Sequence, residues 1–359
     1  MITPIGNRVP RLFFVDEGEK PYYFKEELIL PDGYFKKPDF PEDGDADGYE
    51  HNKDTILYCA RMSVKIAPHR PMSSRIIATC RLAELLGIED MVAKARAAEL
   101  IYNGERLKGT KIPPIGGANF TQLKMLPDLK GYRPRYTPEA VRQLTILTVF
   151  DYVCGQIDRH SKNIKLFLDI DLDNIKPAAP GADGFKITGV CAIDHDLSFG
   201  ELRFSDIKKR VSAGLCICPV LMGEMQYPAV DMDFCDRLFS VDRKTCEEAL
   251  GDLLSEAEID CCFDRIEGLK YAIDLEEKRE KSLRAKGADF FPRLIREPGQ
   301  YNEYLRLMEE NAGRKNPDAD FRFSCRPTYL KLDILRQLPL PGGDIQTEQA
   351  AWQAWNGIK

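Results

Sequence analysis

Long apolar runs are missing from this sequence. None approaches the roughly 18 consecutive residues that a membrane-spanning helix requires, so a soluble chain without a transmembrane segment is expected. Residues 1–11 lack the basic region and apolar core of a secretory signal. That points to a cytoplasmic protein and leaves export without a recognisable signal open. No block of one charge sign stands out either. Lys and Arg number 51 against 57 Asp and Glu, a net charge of −6, which gives no electrostatic reason to expect nucleic acid as a partner. Histidine is scarce at four residues, and the eleven cysteines are an odd, scattered set. The close pairs Cys216/Cys218 and Cys261/Cys262 do not make a double C-x-x-C set, so a zinc site and a disulfide framework both fit poorly and reduced, buried thiols fit better. No Gly-x-Ser-x-Gly elbow and no His-Glu-x-x-His occurs, which removes support for a serine hydrolase or a zinc protease.

What the chain does have is size and patterning. Its 359 residues are 43% hydrophobic and 30% charged, enough for two domains or one large bilobal one. Two aromatic-rich runs, Leu12 to Val15 and Tyr22 to Phe24, flank the polar turn at Glu17-Gly18-Glu19-Lys20, the pattern of a β-hairpin. Residues 31–54 form an acidic Pro/Gly/Asp-rich loop. Ile76, Ile77, Cys80, Ala83 and Leu86 are spaced for a helix ended by Gly87, and Asn103-Gly104 predicts the tight turn of a second hairpin. A Pro/Gly/Lys-rich connector follows at 127–134. Beyond it the texture is helical: Thr137-Pro138-Glu139 opens one helix with a cap and an N1 proline, and Ser255-x-x-Glu258 is a capping box before a second. The charged run from Glu276 to Arg284 is expected to be an exposed face of that second helix. These features divide the chain into a strand-rich N-terminal lobe (1–126), a mainly helical C-terminal lobe (127–340) and a tail (341–359), an α+β organisation.

The chemistry-bearing segment runs from Phe150 to Ile164 and contains Asp158-Arg159-His160-Ser161-Lys162-Asn163. Ala192-Ile193-Asp194-His195-Asp196 follows about thirty residues later. A helix enters a polar loop, an apolar strand leaves it, and a second apolar strand, 190–193, ends in an acid. Phosphoryl transfer needs a carboxylate to orient the attacking hydroxyl, oxygen ligands that hold metal ions on the phosphates, and a cation on the phosphates that stay behind. Asp158 and Asn163, five positions apart across one loop, meet the first two needs, with Asp194 as the principal metal ligand. Asp196 is either a further metal ligand or a cap, and Arg159 pairs with a nearby acid.

Asp158-Arg159-His160-x-x-Asn163 together with Ile193-Asp194-His195-Asp196 resembles the catalytic and metal-binding motifs of the phosphoinositide 3-/4-kinase-like branch of the protein-kinase-like superfamily, D-R-H-x-x-N and I-D-x-G. Asp196 departs from the second pattern, where glycine is usual. In texture the type II phosphatidylinositol 4-kinases are most similar. The resemblance implies a bilobal protein-kinase-like fold, ATP and Mg²⁺ as cofactors, Asp158 and His160 in the catalytic loop (His160 fixing the loop rather than acting as base), and Asn163, Asp194 and Asp196 toward metal. It also implies an ATP lysine on an N-terminal hairpin. Lys25, in Tyr22-Tyr23-Phe24-Lys25, is preferred over its competitor Lys65, with Glu84 as the only acid inside the first long helix to pair with it. No G-x-G-x-x-G precedes the hairpin, so phosphate contacts from the backbone are not assigned. The expected activity is a kinase acting on a hydroxyl acceptor, with a protein or small molecule slightly favoured over lipid. AMP transfer on the same scaffold and a catalytically inactive nucleotide-binding module are the alternatives.

Overall fold

The structure, a computed structural model, describes residues 1–5, 10–18, 20–30, 65–119, 135–156, 159, 163–170, 185–204, 229–287 and 292–306. The acidic loop at 31–54, the connector at 127–134 and the tail at 341–359 lie outside these residues.

The N-terminal part is built on an antiparallel sheet of β1 (Ile2–Pro4), β2 (Leu12–Val15) and β3 (Tyr22–Glu26), followed in the chain by helix α1 (Met72–Leu85) and then by β4 (Arg96–Tyr102) and β5 (Glu105–Ile112). The strand order is β1-β2-β3-β5-β4, so β3 is central. Both predicted hairpins are present. Asn103 and Gly104 take φ angles of 51° and 82°, which is the left-handed backbone a two-residue turn demands. Alternation along the strands sends Phe13, Val15, Tyr22, Phe24, Leu100 and Leu107 to one face, where they form a separate apolar cluster.

The remainder comprises β6 (Arg135–Tyr136), α2 (Pro138–Cys154), β7 (Ile164–Leu168), β8 (Lys186–Ala192), β9 (Val230–Asp231), α3 (Met232–Phe239), α4 (Arg243–Leu250), α5 (Glu256–Ala285) and β10 (Leu294–Ile295). Strands β6, β8 and β7 form a sheet in that order, with β8 antiparallel to β7. The predicted second strand is longer at its start and ends one residue earlier, at Ala192. Thr137 caps α2 by accepting from the Ala140 amide, and Gly155 closes it at φ 62°. Ser255 and Glu258 form the capping box of α5, both halves present.

One large core joins α2, α5, β7 and β8, and it also takes in Met72, Ala78, Leu82 and Ala83 from α1 and Leu86, which caps its end. Helix α1 therefore packs with the helical part of the chain across the sequence position where the lobes were divided. A buried charge pair makes the same connection. Arg75 on α1 meets Glu258 on α5, both side chains being fully buried.

The run from Glu276 to Arg284 is not simply an exposed face. Glu276 and Glu280 are 4% and 6% exposed: Glu276 pairs with the Arg279 guanidinium, and the Glu280 carboxylate accepts from the amides of Arg293 and Leu294 at 2.7 and 3.2 Å as the chain returns into β10. A charge that satisfies backbone donors can be buried where an unpaired one cannot. The seven described cysteines, Cys80, Cys154, Cys191, Cys235, Cys246, Cys261 and Cys262, are buried and unbridged. No described helix is long and apolar enough to cross a membrane.

Gly268, inside α5, lies against the Phe204 ring. A β-carbon there would sit 2.2 Å from the ring, and the ring is itself held edge-on to Tyr152. Alanine is normally worth about 1 kcal/mol over glycine in a helix, but here Gly268→Ala is expected to destabilise by about 1–3 kcal/mol through overpacking. Urea unfolding of the variant checks this, and a gain in stability would contradict the packing.

Candidate active site

Lys25 enters the site through strand alternation. Tyr22 and Phe24 point into the sheet cluster, so Lys25 projects from the opposite face of the central strand. The neighbouring strand is held close at this point: a β-carbon at Gly109 would lie 2.1 Å from the Lys25 carbonyl oxygen, so only glycine permits this approach.

Asp194 and Asp196 follow the end of β8. Asp194 has φ 60°, a left-handed conformation uncommon for a residue other than glycine. The Lys25 ammonium donates to Asp194 Oδ1 at 2.5 Å and to Asp196 Oδ2 at 2.7 Å. One cation thus holds two carboxylates that lie 169 and 171 residues away in sequence. Burial alone would push the Lys25 ammonium down, but the two carboxylates outweigh it and its affinity for a proton is raised. Burial likewise works to raise Asp194, yet the Lys25 charge prevails and holds it below the usual carboxylate range. For Asp196, burial prevails over the Lys25 charge, with repulsion from Asp194 added, and its carboxyl is raised. The two acids are therefore unequal, with Asp194 the more firmly ionised.

Arg159, 1% exposed, organises the loops beneath. Its guanidinium pairs with Asp151 of α2 through two hydrogen bonds of 2.8 and 2.9 Å, the fork geometry that suits a carboxylate. Nη1 donates to the carbonyls of Asn163 and Ile193 at 2.7 and 2.6 Å, and the Ile193 amide donates to the Asn163 carbonyl at 3.0 Å. The end of the polar loop and the end of β8 are thereby tied to one another and to α2. Gln156 adds a bond from Nε2 to the Asp194 carbonyl at 3.1 Å.

His195 is fully enclosed. Arg159 Nη2 lies 2.9 Å from its Nδ1, and its Nε2 lies 3.2 Å from the Ala192 carbonyl. An arginine only donates, so Nδ1 accepts and the ring proton sits on Nε2. Burial, with the adjoining Arg159 charge, pushes the imidazole well below its ordinary range. His195 is a neutral spacer that supports the turn.

Lys25, Asp194 and Asp196 come together, and the backbone of Asn163, itself 5% exposed, is locked to the same loop. Asp158 and His160 lie outside the described residues. Glu84 is not the partner of Lys25. It is exposed in the last turn of α1, whose buried charged residue, Arg75, faces α5 instead. Lys65 is the outward lysine, 58% exposed and paired with Glu201 at 2.8 Å; rather than lying in a regular strand it makes an isolated bridge to Glu201.

Sequence reasoning missed Asp151, Gln156 and Arg265. Arg265 of α5 is fully buried and donates to the carbonyls of Val153 and Leu202 at 2.8 and 2.5 Å. It binds the end of α2 to the chain that follows the acids. Its signal in the sequence was slight, a lone arginine on an apolar helical stripe. Asp151, eight residues before Arg159, was legible only as an acid at the end of a helix.

Two carboxylates converging on one cation offer hard oxygen donors of the kind Mg²⁺ prefers. Among the described residues no cluster of three or more His, Cys, Asp or Glu side chains is arranged to hold a metal ion. Mg²⁺ is usually held by one or two protein carboxylates and completed by phosphate and water, and Asp194 and Asp196 are carboxylates of the kind that could serve.

No family model matches the chain. No curated protein matches it. Among chains of known structure, it is similar to the crystal structure of a Helicobacter pylori proinflammatory kinase, CtkA, with 12% identity over 90% of this chain and 95% of that one and a TM-score of 0.26, a level at which function has to be argued from the residues themselves.

Proposed function

We propose that this chain is an ATP- and Mg²⁺-dependent phosphotransferase of bilobal, protein-kinase-like organisation that acts on a hydroxyl acceptor. The observation that carries the reading is the meeting of Lys25 with Asp194 and Asp196 across 169 and 171 residues of sequence. A cation on a sheet facing paired acids at the end of a strand is the arrangement that phosphoryl transfer needs. In this reading Lys25 contacts the non-transferred phosphates. Asp194, with Asp196 and Asn163, holds Mg²⁺, which when bound offsets charge on the phosphates. Asp158 orients the acceptor hydroxyl and takes its proton, with His160 fixing the loop. Arg159 and Asp151 keep the polar loop and the acid-bearing turn in fixed relation, so that positioning and fixed charge supply most of the rate enhancement. The acidic total charge, with no basic block, favours a protein or small-molecule acceptor over a lipid.

Purified protein incubated with γ-labelled ATP, Mg²⁺ and mixed acceptors, beside an Asp158→Ala control, tests the reading. Transfer of label that the control lacks supports it. A modified acceptor heavier by about 80 Da marks phosphoryl transfer, and one heavier by about 329 Da marks AMP transfer instead. Absence of both turnover and Mg²⁺-dependent nucleotide binding rejects the enzyme reading.

The two lysines provide a sharper contrast. Lys25→Met is expected to weaken ATP binding by about 10- to 100-fold, and Lys65→Met by less than about twofold, since an exposed pair contributes little. Calorimetric titration with ATP and Mg²⁺ measures both, and a reversed ranking would remove Lys25 from the nucleotide site.

A further inference from the structure

Thr110 of β5 is fully buried, and its hydroxyl oxygen has no hydrogen-bond partner among the described residues. A buried hydroxyl left unsatisfied is destabilising, so its place in the fold matters. Strand register sets Thr110 directly opposite Lys25 on β3 and opposite Ala97 on β4. Cross-strand partners share a face of the sheet, so the hydroxyl stands on the same face as Lys25, and alanine on the other side offers it nothing polar. The Lys25 ammonium, meanwhile, is engaged by Asp194 and Asp196.

We propose that Thr110 is a positioning residue for Lys25: its hydroxyl accepts a hydrogen bond from the Lys25 ammonium whenever the two carboxylates no longer hold that charge. The proposal rests on the phosphotransferase reading for its function, because a divalent cation on Asp194 and Asp196 neutralises the charges that draw Lys25 toward them. Lysine has three rotatable donors on a flexible stem. Released from the acids, it is steadied by the hydroxyl across the strand and is presented to phosphate rather than left to wander. The orphan hydroxyl is then a partner for one of two lysine positions.

Thr110→Val keeps the shape and removes the hydroxyl, and Thr110→Ser keeps the hydroxyl. In the otherwise unchanged protein, Thr110→Val is expected to leave the melting temperature unchanged or raised, because it removes an unsatisfied group, while weakening ATP–Mg²⁺ binding about tenfold. Thr110→Ser is expected to restore that affinity. In a protein carrying Asp194→Asn and Asp196→Asn, where the acids' charge is gone, Thr110→Val is expected to lower the folding equilibrium constant about fivefold, the worth of one net hydrogen bond. Equal effects of Thr110→Val on stability in both backgrounds would overturn the proposal. So would a loss of ATP affinity that serine fails to restore, which marks the threonine as packing alone. If the parent protein binds no ATP–Mg²⁺, the phosphotransferase reading falls, while unfolding in the two backgrounds still decides the role of Thr110.

Discussion

If the chain is the phosphotransferase proposed, Asp194→Asn is expected to lower phosphoryl transfer by at least about a thousandfold, since in that reading it removes a charge that acts on phosphate through metal rather than one that merely binds substrate. Asparagine keeps the volume and tolerates the left-handed backbone that Asp194 adopts at φ 60°, so the turn is retained. The ammonium of Lys25 keeps Asp196 as a partner at 2.7 Å. Melting is therefore expected to move by only about a few degrees, and the loss belongs to chemistry rather than folding. Initial rates with ATP across a range of Mg²⁺ concentrations, beside circular-dichroism melting, make the measurement. Turnover within about threefold of the parent protein would take the metal assignment away from Asp194.

The largest effect on stability is expected at Glu258. This carboxylate is fully buried and accepts from the Arg75 guanidinium, from the amides of Ala67 and Ser255 at 2.9 Å each, and from the Ser255 hydroxyl at 2.9 Å. Glu258→Ala removes the charge facing a buried arginine and half of the capping box of α5, and is expected to cost about 3–5 kcal/mol. Glu258→Gln retains acceptors for the amides but not the charge, and its smaller loss separates capping from the ion pair. Urea denaturation of both variants reads the difference. A loss below about 1 kcal/mol for alanine would mean that Arg75 finds other compensation.

The legible parts of the molecule were those governed by local rules. Asn103-Gly104, Thr137-Pro138 and Ser255-x-x-Glu258 each mark an element end by backbone chemistry that acts within a few residues, and each element is present. The acids at the end of β8 were visible because an apolar run stops at a carboxylate. Lys25 came from hairpin context, and strand parity explains why it faces the acids. Glu84 misled because an acid in the first helix says nothing about which way it points; it lies on the exposed side. Glu276 and Glu280 misled for the opposite reason. A charged run looks solvated unless the backbone donors that satisfy it are known, and those of Glu280 arrive from residues 13 and 14 positions onward. Asp151 and Arg265 act through partners that no spacing rule connects.

The contact of Lys25 with Asp194 also bears on how the molecule comes into being. Closing a loop of 169 residues carries an entropic cost that no local element repays, and contacts of such separation form late. During synthesis the first hairpin can pair long before residue 194 leaves the ribosome, but the lysine has no acids to meet until then. The meeting of lysine and acids is therefore withheld from the growing chain, and an N-terminal fragment ending before β8 would carry the lysine without either carboxylate that holds it.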